Sequence, residues 1–354
     1  MIKIKKGIVT KNIKVTNNIQ IVEVKLNNRT SYAINFLDIN NPVDINQEVL
    51  VNITANYLNL GTGGYDFIIP QGQFENKKNG HIMKLRYTPL QFSVLTEEEK
   101  DKTIFERTPY LNKENIVVCE LHSMIAPIAI YLKQFLPKIK ISVILTDWGM
   151  LNANLSENIQ YLKSKKLIDF VITCGEAFNG DFECINEINS IILSQQLQAD
   201  VIIIGPLPGI VGTGSKFGFS TYNMIHVIED IYRFNGQAIL PIRLSKMDKR
   251  DRHKIISHHF ITILNYLNAQ AIIPLYKFED NVFYDNILKI IEKYKVKHRI
   301  IYIDSLYKLD LNQHLAILNT MKKGINDEKE FFDECFATAH FILQKIKGDV
   351  NFEP

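Results

Sequence analysis

Residues 115–149 read NIVVCELHSMIAPIAIYLKQFLPKIKISVILTDWG, and their pattern decides the fold. An unbroken apolar run at 116–121 leads through a polar loop and a helical stretch to a second unbroken run at 140–145. Strands that are apolar at every residue are covered on both faces, the condition of a parallel sheet wrapped by helices. The same unit recurs downstream, with candidate strands at 169–173, 199–204, 237–242, 271–275 and 299–303. Most are followed by helical spacing. Leu155, Ile159, Leu162 and Leu167 mark one such helix behind Asn154 as its cap, and Phe332, Cys335, Phe336, Ala339 and Leu343 mark a last helix over 327–347, with Cys335 and His340 as core residues. The expectation is an open, mostly parallel, Rossmann-like α/β sheet with right-handed crossovers over residues 112–354.

Upstream the pattern differs. Residues 1–58 hold short alternating or β-branched stretches at 4–10, 19–26, 32–37 and 49–54, separated by turns such as Asn27-Asn28 and Asn40-Asn41-Pro42. They predict a small, barrel-like β domain over 1–94, extended by the glycine turn LGTGGYDF, the polar loop QGQFENKKNG and the strand-like GHIMKLRYTPLQ. A charged stretch, LTEEEKDK, opens a connector at 95–111. The five lysines within residues 1–14 guard edge strands against aggregation, and no aromatic stacking pair accompanies them.

The composition narrows the function classes. Of 354 residues, 41 are basic and 38 acidic, a net +3, and 46% are hydrophobic. This excludes a disordered acidic chain and argues against a polybasic nucleic-acid protein. No apolar run is long enough for a membrane span, and the alternating start MIKIKKGIVTKNIKV is not a signal peptide, so a cytoplasmic protein is expected. Cys119, Cys174, Cys184 and Cys335 lack CxxC or zinc-ribbon spacing, which predicts thiols.

In a parallel sheet, ligands bind outside the carboxyl ends of the strands. Those ends here are Glu120-Leu121-His122-Ser123, Thr146-Asp147-Trp148-Gly149, Cys174-Gly175-Glu176, Gly205-Pro206 and Arg243-Leu244-Ser245. After the fourth strand, PGIVGTGSKFGF carries Gly209, Gly212, Thr213, Gly214 and Ser215, whose backbone amides can face an anion, although neither a Walker A loop nor GxGxxG is present. Gly61, Thr62, Gly63 and Gly64 form a second glycine turn, either a ligand loop or a tight strand turn. The run RLSKMDKRDRHK at 243–254 holds six basic residues and two acids, so Arg243, Arg250 and Arg252 are candidate grips for an anionic group or a solvated face. His253, His258 and His259 fall within seven residues, but on one helix adjacent histidines point about 100° apart, so at most one readily faces a ligand. With no GxSxG elbow, and Cys174 at an apolar strand end, covalent catalysis is disfavoured.

The stretches LGTGGYDF, GHIMKLRYTPLQ, ELHSMIAP, GEAFNGDFE, GIVGTGSKFGF and RDRHKIISHH together resemble a bacterial family catalogued as a domain of unknown function, number 3866. The resemblance runs over nearly the whole chain and implies that these are the family's hallmark segments, without implying a reaction or cofactor. The sequence departs from that pattern at Trp148, where a second glycine is more usual, and at Glu176, where a histidine is common.

The combined expectation is an enzyme of transferase or hydrolase type, or a binding protein, that holds a phosphorylated or otherwise anionic small molecule between the β region and the α/β domain. Gly209–Ser215 amides cradle the anion, Arg243, Arg250 and Arg252 neutralise it, and His81, Lys84 and Arg86 reach it from the β side. Asp147, Glu176 and His122 supply polar contacts or proton transfer. One alternative is a metal-dependent hydrolase using Asp147, His122 and one of the 253–259 histidines. Another is a non-catalytic module binding nucleic acid or protein through the Lys3 to Lys14 face. The residues identify no cofactor, and a symmetric homodimer is the default assembly.

Overall fold

The N-terminal strand signals close on themselves. In the computed structural model, which describes residues 1–60, 63–75, 80–106, 108–112 and 114–348, the first strands are β1 (Ile4–Val15), β2 (Ile19–Leu26), β3 (Arg29–Phe36), β4 (Glu48–Asn52) and β5 (Asp66–Ile68). They form a closed barrel in the order β1-β2-β3-β5-β4, sealed by antiparallel pairing of β4 with β1. With β3 and β5 parallel, the connectivity is that of a five-stranded Greek-key barrel of the OB type. Alternate residues, among them Val22, Val24, Val49 and Val51, fill the interior. Where β1 crosses β2, a Cβ on Gly7 would lie 2.4 Å from Val24 Cγ1, so only glycine fits. β1 runs beyond its expected end through two register shifts that bend it around the barrel. A short helix α1 (Thr54–Tyr57) and the antiparallel hairpin of β6 (Ile82–Lys84) and β7 (Phe92–Val94) complete this unit, Met1–Leu95.

The second unit, Thr96–Pro354, opens with α2 (Glu97–Lys100), whose Thr96 and Glu99 form a capping box. Residues read as a connector are tied into this unit: Glu98 Oε1 accepts from Ile185 N and Asn189 Nδ2, each at 2.8 Å. The strands that follow are β8 (Ile116–Val118), β9 (Ile141–Thr146), β10 (Phe170–Thr173), β11 (Phe182–Glu183), β12 (Val201–Pro206), β13 (Ala238–Ile239), β14 (Leu244–Ser245), β15 (Ile255–Ile256), β16 (Ile272–Tyr276) and β17 (Arg299–Ile303). A two-stranded turn of β18 (Asn319–Thr320) and β19 (Lys323–Gly324) precedes the last helix. The main helices are α3 (Ile125–Phe135), α4 (Glu157–Ser164), α5 (Glu187–Gln196), α6 (Met224–Arg233), α7 (His258–Tyr266), α8 (Asn281–Ile291) and α9 (Lys329–Lys347).

Eight strands form one wholly parallel sheet in the order β11-β10-β9-β12-β8-β13-β16-β17. Seven were expected from apolar runs; β11 has only two residues, too few for a periodic signal. β13 is shorter than expected because Pro241 has no N–H to donate to the ladder. The helix expected at 155–167 begins later, at Glu157, because Ser156 rather than Asn154 caps it, its Oγ accepting from Ile159 N at 3.1 Å.

Two apolar layers cover the sheet. Residues of α3, α4 and α9 pack on one face, and those of α5, α6, α7 and α8 on the other. β12 inserts between β8 and β9, and the crossovers after β8 and β12 lead to opposite faces. Their carboxyl ends therefore form a topological switch point, where loops diverge and leave a crevice. All four cysteines are buried free thiols. Among the described residues no helix is long and apolar enough to cross a membrane.

Candidate functional site

The switch point is occupied by a buried charge. Glu120, two residues beyond β8, is fully buried, and its Oε1 accepts from Arg243 Nη1 and, at 3.0 Å, from His259 Nδ1. Burial pushes the Glu120 carboxyl up, but the Arg243 guanidinium and the His259 ring outweigh it and hold the group below its ordinary value. Because a carboxylate only accepts, the His259 ring carries a proton on Nδ1, and Nε2 is the ring nitrogen turned away from Glu120. Phe219 stacks on that ring with centroids 4.0 Å apart and planes 9° from parallel, which fixes its orientation.

The basic run is a hairpin loop. β14 and β15 pair antiparallel and project residues 246–254 between them. The chain then doubles back through Ile255, whose φ of 63° is a strained conformation for a β-branched residue. Ser257 caps α7, its Oγ accepting from His259 N at 3.3 Å and lying 2.9 Å from His253 Nδ1. His253 thus sits on a turn before the helix, not on it, and its ring centroid is 5.0 Å from those of both His258 and His259. One ring nitrogen from each of the three lies within 4.8 Å of the others. This corrects the helical-wheel expectation, which separated these side chains by treating them as one helix. Burial pushes the His253 ring down to about 3, helped by Arg243 and Arg250, and lowers His258 as well, so both rings are neutral near pH 7.

The glycine-rich loop meets this cluster. A Cβ on Gly212 would lie 3.3 Å from His259 Nε2, and one on Gly214, where φ is +83°, 3.2 Å from Arg252 Nη1. Part of the loop's hydrogen-bonding capacity is used internally: Thr213 N donates to Gly218 O at 2.8 Å, Val211 N to Ser220 Oγ at 3.2 Å, and the Thr213 and Ser215 hydroxyls bond each other at 2.8 Å. The amides of Gly212 and Gly214 have no partner among the described residues.

The other expected site residues lie as follows. His122 is buried with both ring nitrogens engaged, Nδ1–H donating to Pro206 O at 2.9 Å and Nε2 accepting from Ser156 Oγ at 2.7 Å. Burial pushes its ring down to about 4, and it clips the β8, β9 and β12 loops together. Asp147 and Glu176 are brought side by side, Asp147 Oδ2 accepting from Glu176 N at 2.9 Å. Arg250 folds onto Asp248 in a bidentate pair at 3.0 and 2.8 Å. In the first unit, Gly63 and Gly64 form a left-handed turn, Lys84 ends β6 as a buried residue, and His81 and Arg86 flank that strand as exposed residues. Gly61 and Thr62 lie outside the described residues. Sequence reasoning missed Glu120, although it stands in the first strand-end motif, because its partner Arg243 is 123 residues away.

A cleft of about 280 Å³ opens beside the cluster, lined by Arg243, Lys249, Arg250, His253, Lys323 and Glu328 among others. Lys323 pairs with Glu328, whereas Lys249 and Arg252 have no ion-pair partner among the described residues.

No curated protein matches the sequence. A family model described as a protein of unknown function, DUF3866, matches residues 32–339, a span that takes in β8 to β17, the glycine-rich loop and all three clustered histidines. The chain therefore belongs to the DUF3866 family.

Proposed function

We propose that the protein binds a phosphorylated or otherwise anionic small molecule in the cleft beside the β8–β12 switch point, as an enzyme or a binding protein. The observation that carries this reading is the grouping of cations around that crevice. Arg243, Lys249, Arg250 and Lys323 line the cleft, and His253 connects it through His259 to Gly212 and the loop that Arg252 touches. Lys249 and Arg252 bring positive charge that no acid pairs with among the described residues, and the Gly212 and Gly214 amides supply two further donors. Arg243 is the buried anchor, held in place by Glu120. In an enzyme, Asp147 and Glu176 would be the carboxylates for proton transfer, and His122 would hold the loops that present them.

Thermal shift followed by calorimetry with inorganic phosphate, a nucleotide and a sugar phosphate tests this. At least one anion should raise the melting temperature, and Lys249→Ala and Arg252→Ala should each weaken its binding about tenfold, the effect of losing one charge-assisted contact. If no anion in the panel binds, or both variants bind as the parent does, the proposal fails.

A further inference from the structure

The three clustered histidines form a donor set that the anion-binding reading does not need. We propose that His253, His258 and His259 hold a divalent transition-metal ion of the zinc class, with a fourth position left open to water or an anionic ligand.

Four observations support the site. One ring nitrogen of each histidine lies within 4.8 Å of the other two; three imidazoles around one ion at about 2.1 Å sit roughly 3.4 Å apart, so small ring rotations suffice. The nitrogens remaining to be shared are consistent. Nδ1 of His253 and of His259 are engaged by Ser257 and Glu120, which leaves Nε2 on each, and His258 Nε2 is a buried atom with no hydrogen-bond partner among the described residues. A carboxylate behind a ligating histidine fixes its tautomer and strengthens it as a donor, which is the relation of Glu120 to His259. Finally, Gly212 leaves space at His259 Nε2 that a methyl group would crowd at 3.3 Å. Three imidazoles without an oxygen ligand select zinc, cobalt, nickel or copper over magnesium or calcium. Three protein ligands match an ion that keeps an exchangeable position, not a purely structural one.

The test uses the full-length chain stripped with a chelator and dialysed against Zn²⁺ or Co²⁺. The expected result is one ion per chain, with the intense visible absorption of tetrahedral Co²⁺. His258→Asn should lower metal affinity at least tenfold; this partly exposed residue tolerates exchange without unfolding. The exposed His226→Asn should leave affinity unchanged. Circular dichroism confirms that each variant is folded. Substoichiometric metal in the parent, or equal affinity in both variants, overturns the proposal. Metal binding without anion binding would sink the function proposed above and keep this site, and the reverse result would do the opposite.

Discussion

Glu334 gives the sharpest test of the electrostatics in this fold. It lies on α9 with no exposed surface; its Oε2 accepts from Tyr276 N at 3.1 Å, and its Oε1 has no hydrogen-bond partner among the described residues. Burial pushes its carboxyl from 4.5 up to about 8, with Asp333 adding and the Tyr276 and Ile242 amides opposing. The native carboxyl therefore keeps a proton that the unfolded chain releases near 4.5, so the native state binds the extra proton in this window and stability falls as pH rises through it. Each pH unit is worth about 1.4 kcal/mol, so the group costs about 3 kcal/mol of stability between about pH 5.5 and about pH 8. Glu334→Gln copies the shape of the protonated acid and removes the titration. Urea unfolding of both proteins at the two pH values isolates the residue, because every other group titrates in both. The variant should be the more stable of the two by about 1.4 kcal/mol near pH 5.5 and by about 4 kcal/mol near pH 8, a gap that widens by about 3 kcal/mol. A constant difference between the two proteins across that range would refute the assignment of a neutral buried acid.

His122→Ala should lower stability by about 2–4 kcal/mol, because it opens a cavity and strands the Ser156 hydroxyl and Pro206 carbonyl, and a urea midpoint measures this. A midpoint unchanged from the parent would show that the clip is not structural. Arg243→Ala leaves the buried Glu120 with His259 as its remaining partner and should cost about 3–5 kcal/mol, whereas pairing it with Glu120→Leu should restore a large part of that loss; a double-mutant cycle reads the coupling. If the near-neutral chain recognises small anions and not polyanions, a labelled single-stranded oligonucleotide should show no salt-steep binding, and fluorescence anisotropy at two ionic strengths checks it.

The sheet was legible because its strands are apolar at every position, and the barrel because its strands alternate. Both signals are local. What the sequence hid is what depends on distant pairing or on one backbone angle. Glu120 reads as one polar residue at a strand end until Arg243 and His259 are brought to it from the far side of the sheet. His253 and His258 look badly spaced on a helical wheel, yet Ser257 starts the helix after His253, and the left-handed Ile255 turns the chain back on itself. The hydroxyls of Thr213 and Ser215 suggest an anion cradle by composition, but in the fold they bond each other. His122 follows the first strand as an active-site residue would, while its two nitrogens serve as a clip between loops.

The position of β8 has a consequence for how the chain comes into being. Its sheet neighbours are β12 and β13, and Ile116 pairs first with Ile202 and then with Ala238. During synthesis β8 emerges long before either partner exists, and β9 and β10, which can pair with each other, lack the strand that joins them to it. Unpaired apolar strands held open in this way are slow to consolidate and prone to association. Insertion of β12 closes the sheet and also delivers the Pro206 carbonyl to His122 and the glycine-rich loop to His259. Truncation upstream of residue 201 should therefore leave a chain that needs chaperone protection, and recovery of the site should track late folding, not early collapse.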